Sequence, residues 1–146
     1  MFREAVLAGA RVLVAATVVA VVVSVGAVGS GAAQSTAKLP APLVGAWARF
    51  ITAADWARVS ITSEQPVHTS MLVSADGGVV AGESSDVRFA PLSGSRLVIS
   101  GAYGCGKKKG VYRWRVAAGR LTLTKLQDTC AYSAAVYTGV WKREKT

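Results

Sequence analysis

Val111-Tyr112-Arg113-Trp114-Arg115-Val116 and Arg120-Leu121-Thr122-Leu123-Thr124-Lys125-Leu126, separated only by Ala117-Ala118-Gly119, decide how this chain folds. Both runs alternate, the pattern of a strand with one buried and one wet face. Tyr112, Trp114 and Val116 share one side of the first run, while Arg113 and Arg115 share the other, which must be solvated. In the second run Leu121 and Leu123 face a core while Thr122 and Thr124 face out. Further short apolar runs are cut by Gly, Ser and Asp: Leu43 to Ile51, Val67 to Ser74, Val79 to Ala81, Val87 to Leu92, Arg96 to Ser100 and Tyr137 to Arg143. Asp76-Gly77-Gly78 is a strong hairpin signal, and Ser93-Gly94-Ser95 separates two more runs. Thr52 to Arg58 reads as a short helix with Thr52 as N-cap and Asp55 in the capping-box position. The pattern predicts about eight short strands at a spacing of roughly ten residues, with one short helix after the first.

That pattern is all-β, a sandwich or a closed barrel. An immunoglobulin-like sandwich wants two Cys far apart in sequence with a Tyr two residues before the second. Cys105 and Cys130 are too close for that, and Tyr132 follows Cys130. The first strand places Gly45, Trp47, Arg49 and Ile51 on one side, and the last places Gly139, Trp141 and Arg143 on one side. Both terminal strands therefore carry Gly-x-Trp. An up-and-down antiparallel barrel, in which first and last strands meet, is the expected architecture.

The chain is 146 residues long, one domain with one core, and too small for a doubly wound nucleotide enzyme. Its N-terminus reads as an address. Arg3 and Arg11 give a basic start, Val12 to Val28 is apolar, and Gly29-Ser30-Gly31-Ala32-Ala33 supplies small residues for a cut after Ala33. The expectation is a signal peptide over residues 1–33, with an uncleaved anchor over 12–33 as the alternative. A linker over 34–42 and a barrel domain over 43–146 follow, in a secreted or extracytoplasmic protein. Taking Arg3, Glu4 and Arg11 off the chain's 17 Lys+Arg and 8 Asp+Glu leaves 15 and 7 for the remainder. Two Cys in an exported domain read as one disulfide, Cys105–Cys130. The chain contains no Asn and hence no N-glycosylation acceptor.

Leu43-Val44-Gly45-Ala46-Trp47 resembles the opening of lipocalin-like (calycin-type) barrels. The order Gly110-Val111-Tyr112-Arg113-Trp114, Leu121-Thr122-Leu123-Thr124, Asp128-Thr129-Cys130 and Thr138-Gly139-Val140-Trp141-Lys142-Arg143 is similar to small exported actinobacterial lipocalin-like domains. The resemblance covers Leu43 to Glu144. The middle and later lipocalin motifs are not recognisable, and the chain is shorter than typical lipocalins. The resemblance implies a barrel-end pair in which Arg143 packs over Trp47.

Two functional readings follow. Trp47, Met71, Phe89, Tyr112, Trp114 and Trp141 either line a cavity for a small apolar or amphiphilic ligand or fill the barrel themselves. Lys107, Lys108 and Lys109 form a hairpin tip near Arg113 and Arg115, with Arg120 a further candidate. This basic surface suits an anionic envelope component, or is simply a solvated, aggregation-resistant face. The first expectation is a non-enzymatic binding protein for a small hydrophobic ligand; the alternative is an envelope interaction protein with the barrel as filled scaffold. Nucleic acid is not expected, because no stacking aromatics interleave with the basic residues. Membrane contact is expected only through an uncleaved N-terminal segment. His68 is the sole His, near Ser70 and Ser74, and a barrel enzyme built on it is the remote third reading. The carboxylates sit at turns and helix starts, with Asp128 placed to cap the turn before Cys130. No metal-ligand cluster or phosphate loop is present in the sequence, so no catalytic residue, metal or cofactor is expected.

Overall fold

Alternation at period two becomes eight antiparallel strands in a computed structural model that describes residues 37–82 and 84–145. The strands are β1 (Gly45–Ile51), β2 (Val67–Val73), β3 (Gly78–Ala81), β4 (Ser84–Leu92), β5 (Arg96–Ser100), β6 (Lys109–Ala117), β7 (Arg120–Gln127) and β8 (Gly139–Arg143). Each pairs with the next, and β8 pairs with β1, Trp47 lying opposite Arg143 and Ala48 opposite Lys142. The result is a closed up-and-down barrel without free edges. The expected leader, residues 1–33, lies outside the described residues. Among the described residues no helix is long and apolar enough to cross a membrane.

Helix α1 (Ala53–Ala57) follows β1 and has the expected capping box. Thr52 Oγ1 accepts from the Asp55 N–H at 3.2 Å, and Asp55 Oδ2 accepts from the Thr52 N–H at 2.8 Å. The first strand starts two residues later than expected, because Ala41–Leu43 form a 3-10 turn started by Pro40. Within the stretch read as linker, Leu39 is buried and its N–H donates to the Ala75 carbonyl at 2.9 Å.

The short helix expected after the first strand is present, and a further helix that the sequence reading did not name lies before the last strand. Ala131–Tyr137 is a second helix, α2, and the last strand starts at Gly139, after Tyr137. No side chain caps α2 at Cys130, so local sequence announces no start. Its rigidity comes from the disulfide behind it and from burial of Ser133 to Tyr137.

The Cys105–Cys130 disulfide joins the β5–β6 loop to the N-terminus of α2, with Cα atoms 5.6 Å apart. Asp128 Oδ1 accepts from the Cys130 N–H at 2.8 Å, closing the turn, and its other oxygen accepts from the Tyr112 hydroxyl. A bridge over a sequence separation of 25 constrains the unfolded chain. Changing both Cys to Ser is expected to cost about 3.5 kcal/mol in urea unfolding. A loss below about 1 kcal/mol would mean that α2 does not depend on the bridge.

Candidate functional site

The barrel has a lower rim, where β1 begins, and an upper rim, where it ends. Closing the sheet brings two copies of one pattern together, Gly45-x-Trp47-x-Arg49 on β1 and Gly139-x-Trp141-x-Arg143 on β8. The strands are antiparallel, so each Arg reaches the other strand's Trp. Arg143 Cζ lies 4.2 Å from the Trp47 ring centroid, and Arg49 Cζ lies 5.8 Å from that of Trp141. Each Trp N–H donates to the carbonyl four residues before it: Trp47 to Leu43 at 2.9 Å and Trp141 to Tyr137 at 3.2 Å. Each Arg caps the segment leading into the other strand. Arg143 donates to the carbonyls of Pro42 and Val44, and Arg49 to those of Val136 and Thr138.

The two Gly make room for this. A Cβ on Gly45 would come within 2.6 Å of Arg143 Nη1, and one on Gly139 within 2.7 Å of Arg49 Nη1. Their φ values of 131° and 134° also lie where side chains are rarely tolerated. The barrel-end pair Trp47–Arg143 is thus one half of a local two-fold arrangement. The other half, Arg49–Trp141, is legible only once β8 is docked on β1.

The two ends differ in electrostatics. Arg143 is exposed at the lower rim, whereas Arg49 is buried at the upper rim and pairs with Asp55, Nη2 to Oδ2 at 3.0 Å. Asp55 also meets the Arg58 guanidinium. Burial lowers the pKa of Arg49, helped by the nearby charge of Arg58.

Between the rims the space is occupied. Trp47, Tyr112 and Trp141 have 0% of their surface accessible, and Met71 and Phe89 have 2%. No water-sized probe therefore touches the first three. Phe89 meets Tyr137 edge-on at 6.0 Å, and Tyr137 stacks on Trp141 at 6.4 Å. Trp114 is the exception, half-buried against the core. The β5–β6 ladder ends at Arg96–Arg113, and beyond the Ser95 carbonyl, which accepts from the Trp114 N–H at 2.9 Å, β6 continues towards the lower rim beside β7.

Burial raises the pKa of the Tyr112 hydroxyl, as does its bond to the Asp128 carboxylate. Burial likewise raises that of Tyr137. Above about pH 10 the unfolded chain releases both protons while the native state keeps them. Stability is therefore flat with respect to these groups below pH 10 and falls above it, by about 1.4 kcal/mol per pH unit for each Tyr. A pH series of denaturant midpoints should show the decline. If phenolate absorbance shows both ionising near pH 10 in folded protein, the rings are not buried as described.

Outside, the strands sort charge by register. β5 to β8 contain no Asp or Glu. Arg96 lies directly opposite Arg113, Ser100 opposite Lys109, and Arg120 opposite Lys142. Lys109, Arg113 and Arg115 follow one outward line along β6, with Thr122 opposite Arg115 on β7. The expected basic residues thus fall into two groups. Lys107 and Lys108 sit in the loop at the upper rim, whereas Lys109, Arg113 and Arg115 join Arg96, Arg120 and Lys142 in a continuous cationic wall. The contribution of Lys142 was not legible from sequence, because its neighbours come from cross-strand register.

The wall ends at the lower rim in a shallow depression of about 800 Å³, lined by Ala118, Gly119, Arg120 and residues Lys142 to Lys145. A second cleft, about 230 Å³, lies beside Asp55, Arg58, Lys125 and Thr138 at the upper rim. The buried Thr138 hydroxyl there has no hydrogen-bond partner. His68 is exposed opposite Phe50, and the Ser74 hydroxyl is engaged in the Asp76–Gly78 turn. Among the described residues no group of three His, Cys, Asp or Glu is placed to hold a metal ion. The closed eight-stranded antiparallel barrel is compatible with a lipocalin-like fold. No family model, curated protein or solved structure matches this chain.

Proposed function

We propose that this protein is an exported, non-enzymatic binding domain, a small lipocalin-like barrel used as a filled scaffold, whose cationic wall engages anionic components of the cell envelope. One observation carries the reading: two pairs of cations, Arg96 with Arg113 and Arg120 with Lys142, stand directly opposite each other on neighbouring strands. Like charges in that position destabilise a sheet. Among the described residues the only salt bridges are those of Asp55 with Arg49 and Arg58, so no cation of the wall is ion-paired. A bound polyanion relieves that repulsion and releases its own counterions. Export is supported by the disulfide, which persists in oxidising compartments. A small-ligand carrier is less well supported, since the aromatic residues it would use, Trp114 apart, are enclosed in the core.

The test is binding to long-chain inorganic polyphosphate over a salt series. Wild-type protein is expected to bind with an affinity that falls steeply with salt. Changing Arg113, Arg115 and Arg120 to Ser should lower the log–log slope by about two, at roughly 0.7 per lost phosphate contact. Changing Lys107 and Lys108 to Ser should lower it by about one or less. Salt-independent or absent binding, or a triple variant that binds like wild type, would remove the wall as the site.

A further inference from the structure

The cationic wall stops at β8. On β1, β2 and β3 the only Lys, Arg, Asp or Glu is Arg49, which is buried. The outer face of these strands instead exposes apolar side chains, with His68 and Ser70 of β2 between them. Phe50 and Leu72 are 56% exposed, Val80 is 53% exposed, and Val140 on β8 is 49% exposed. These side chains fall into two groups, Leu72 and Val80 towards the lower rim and Phe50 and Val140 towards the upper. Ala46, Leu72 and Val80 form one row across β1, β2 and β3. Lys142 lies opposite Ala48, so two residues further along the same antiparallel register Val140 comes alongside Phe50. The barrel's outside is therefore divided lengthwise, with a face free of Lys, Arg, Asp and Glu that exposes apolar side chains on one side and the cationic wall on the other. Arg120 and Lys142 run along the seam.

We propose that this seam is where the barrel lies on an anionic bilayer. Phe50, Leu72, Val80 and Val140 enter the headgroup region, while Arg120 and Lys142 sit over lipid phosphates at their edge. The inference rests on the cationic wall being an anion-binding surface and assigns it an anionic lipid surface as partner. Charge complementarity with apolar insertion beside it is how a protein surface adheres to an anionic interface. A soluble polyanion has no use for the apolar row. A second copy of this chain is a poorer occupant on two grounds. A barrel wall is convex, so two copies meet along a narrow line, whereas lipid headgroups conform to it. Dimerisation also gathers two strongly basic chains whose walls have no ion-paired carboxylate to offset them.

The experiment is co-sedimentation of the exported protein, disulfide intact, with vesicles of phosphatidylcholine alone and of phosphatidylcholine with phosphatidylglycerol at roughly two to one. Polyphosphate binding is measured alongside. Wild type is expected to bind the mixed vesicles and not the neutral ones. Phe50→Ser/Leu72→Ser should lose about tenfold or more in affinity for mixed vesicles. It should keep its polyphosphate binding, and cooperative urea unfolding shows that it is folded. The inference is overturned if this variant binds mixed vesicles as wild type does, or if wild type binds polyphosphate but not mixed vesicles. It is also overturned if wild type sediments as a dimer that the double substitution converts to monomer, which gives the face to a second copy. Absence of salt-dependent binding to both polyphosphate and vesicles would instead remove the underlying anion-binding reading.

Discussion

Asp55→Ala is expected to destabilise the barrel by about 3–5 kcal/mol, far more than its place in a five-residue helix suggests. The carboxylate is the counter-charge of buried Arg49, which it meets at 3.0 Å. Without it a guanidinium remains enclosed, with only the Val136 and Thr138 carbonyls as partners. Loss of the capping box contributes about 1 kcal/mol of that total. Changing Arg49 to Met in the same chain removes the stranded charge, so the double variant is expected to be about 1–3 kcal/mol more stable than Asp55→Ala alone. Urea unfolding with the disulfide intact measures all three proteins. A single-variant cost below about 1 kcal/mol, or a double variant that is worse still, would show that the pair is hydrated and does not seal the upper rim.

Trp141→Ala is the second large effect, also about 3–5 kcal/mol. The ring is fully inaccessible, lies opposite Leu121, and is enclosed by Tyr137 and the Arg49 guanidinium. Truncating it leaves a void that a closed barrel has little freedom to collapse. It also strips the Tyr137 carbonyl of its donor at 3.2 Å. Trp114→Ala should cost only about 1–2 kcal/mol, because that ring is half in solvent already. The contrast bears on function. A Trp141→Ala cost near zero would mean that the ring borders usable space, and the small-ligand reading would regain its footing.

Much of this was legible in the chain. The alternation in Val111 to Val116 and Arg120 to Leu126 set the inward and outward faces, and Gly-x-Trp at both ends pointed to closure. Thr52 and Asp55 announced α1, since a capping box is a purely local device. Helix α2 was not announced. Ala131 to Tyr137 carries no capping side chain and is too short to hold itself together, so a disulfide and tertiary burial make it helical. The Lys107-Lys108-Lys109 run drew attention because its members are adjacent in sequence. The structure places its first two members in a loop at the upper rim, outside the wall.

By itself, then, the sequence determined which side of each strand is buried, because side-chain direction alternates with a period of two whatever the strand pairs with. It determined in the same way that the outer face of β6 is basic. Only the tertiary structure decided what stands next to what. Cross-strand register, set by the hairpins and by the docking of β8 on β1, puts Arg96 beside Arg113, Lys142 beside Arg120 and Arg49 under Trp141. Those neighbours lie 17 to 92 residues apart, beyond any local pattern, yet within the roughly 5 Å that separates adjacent strands, where charges interact.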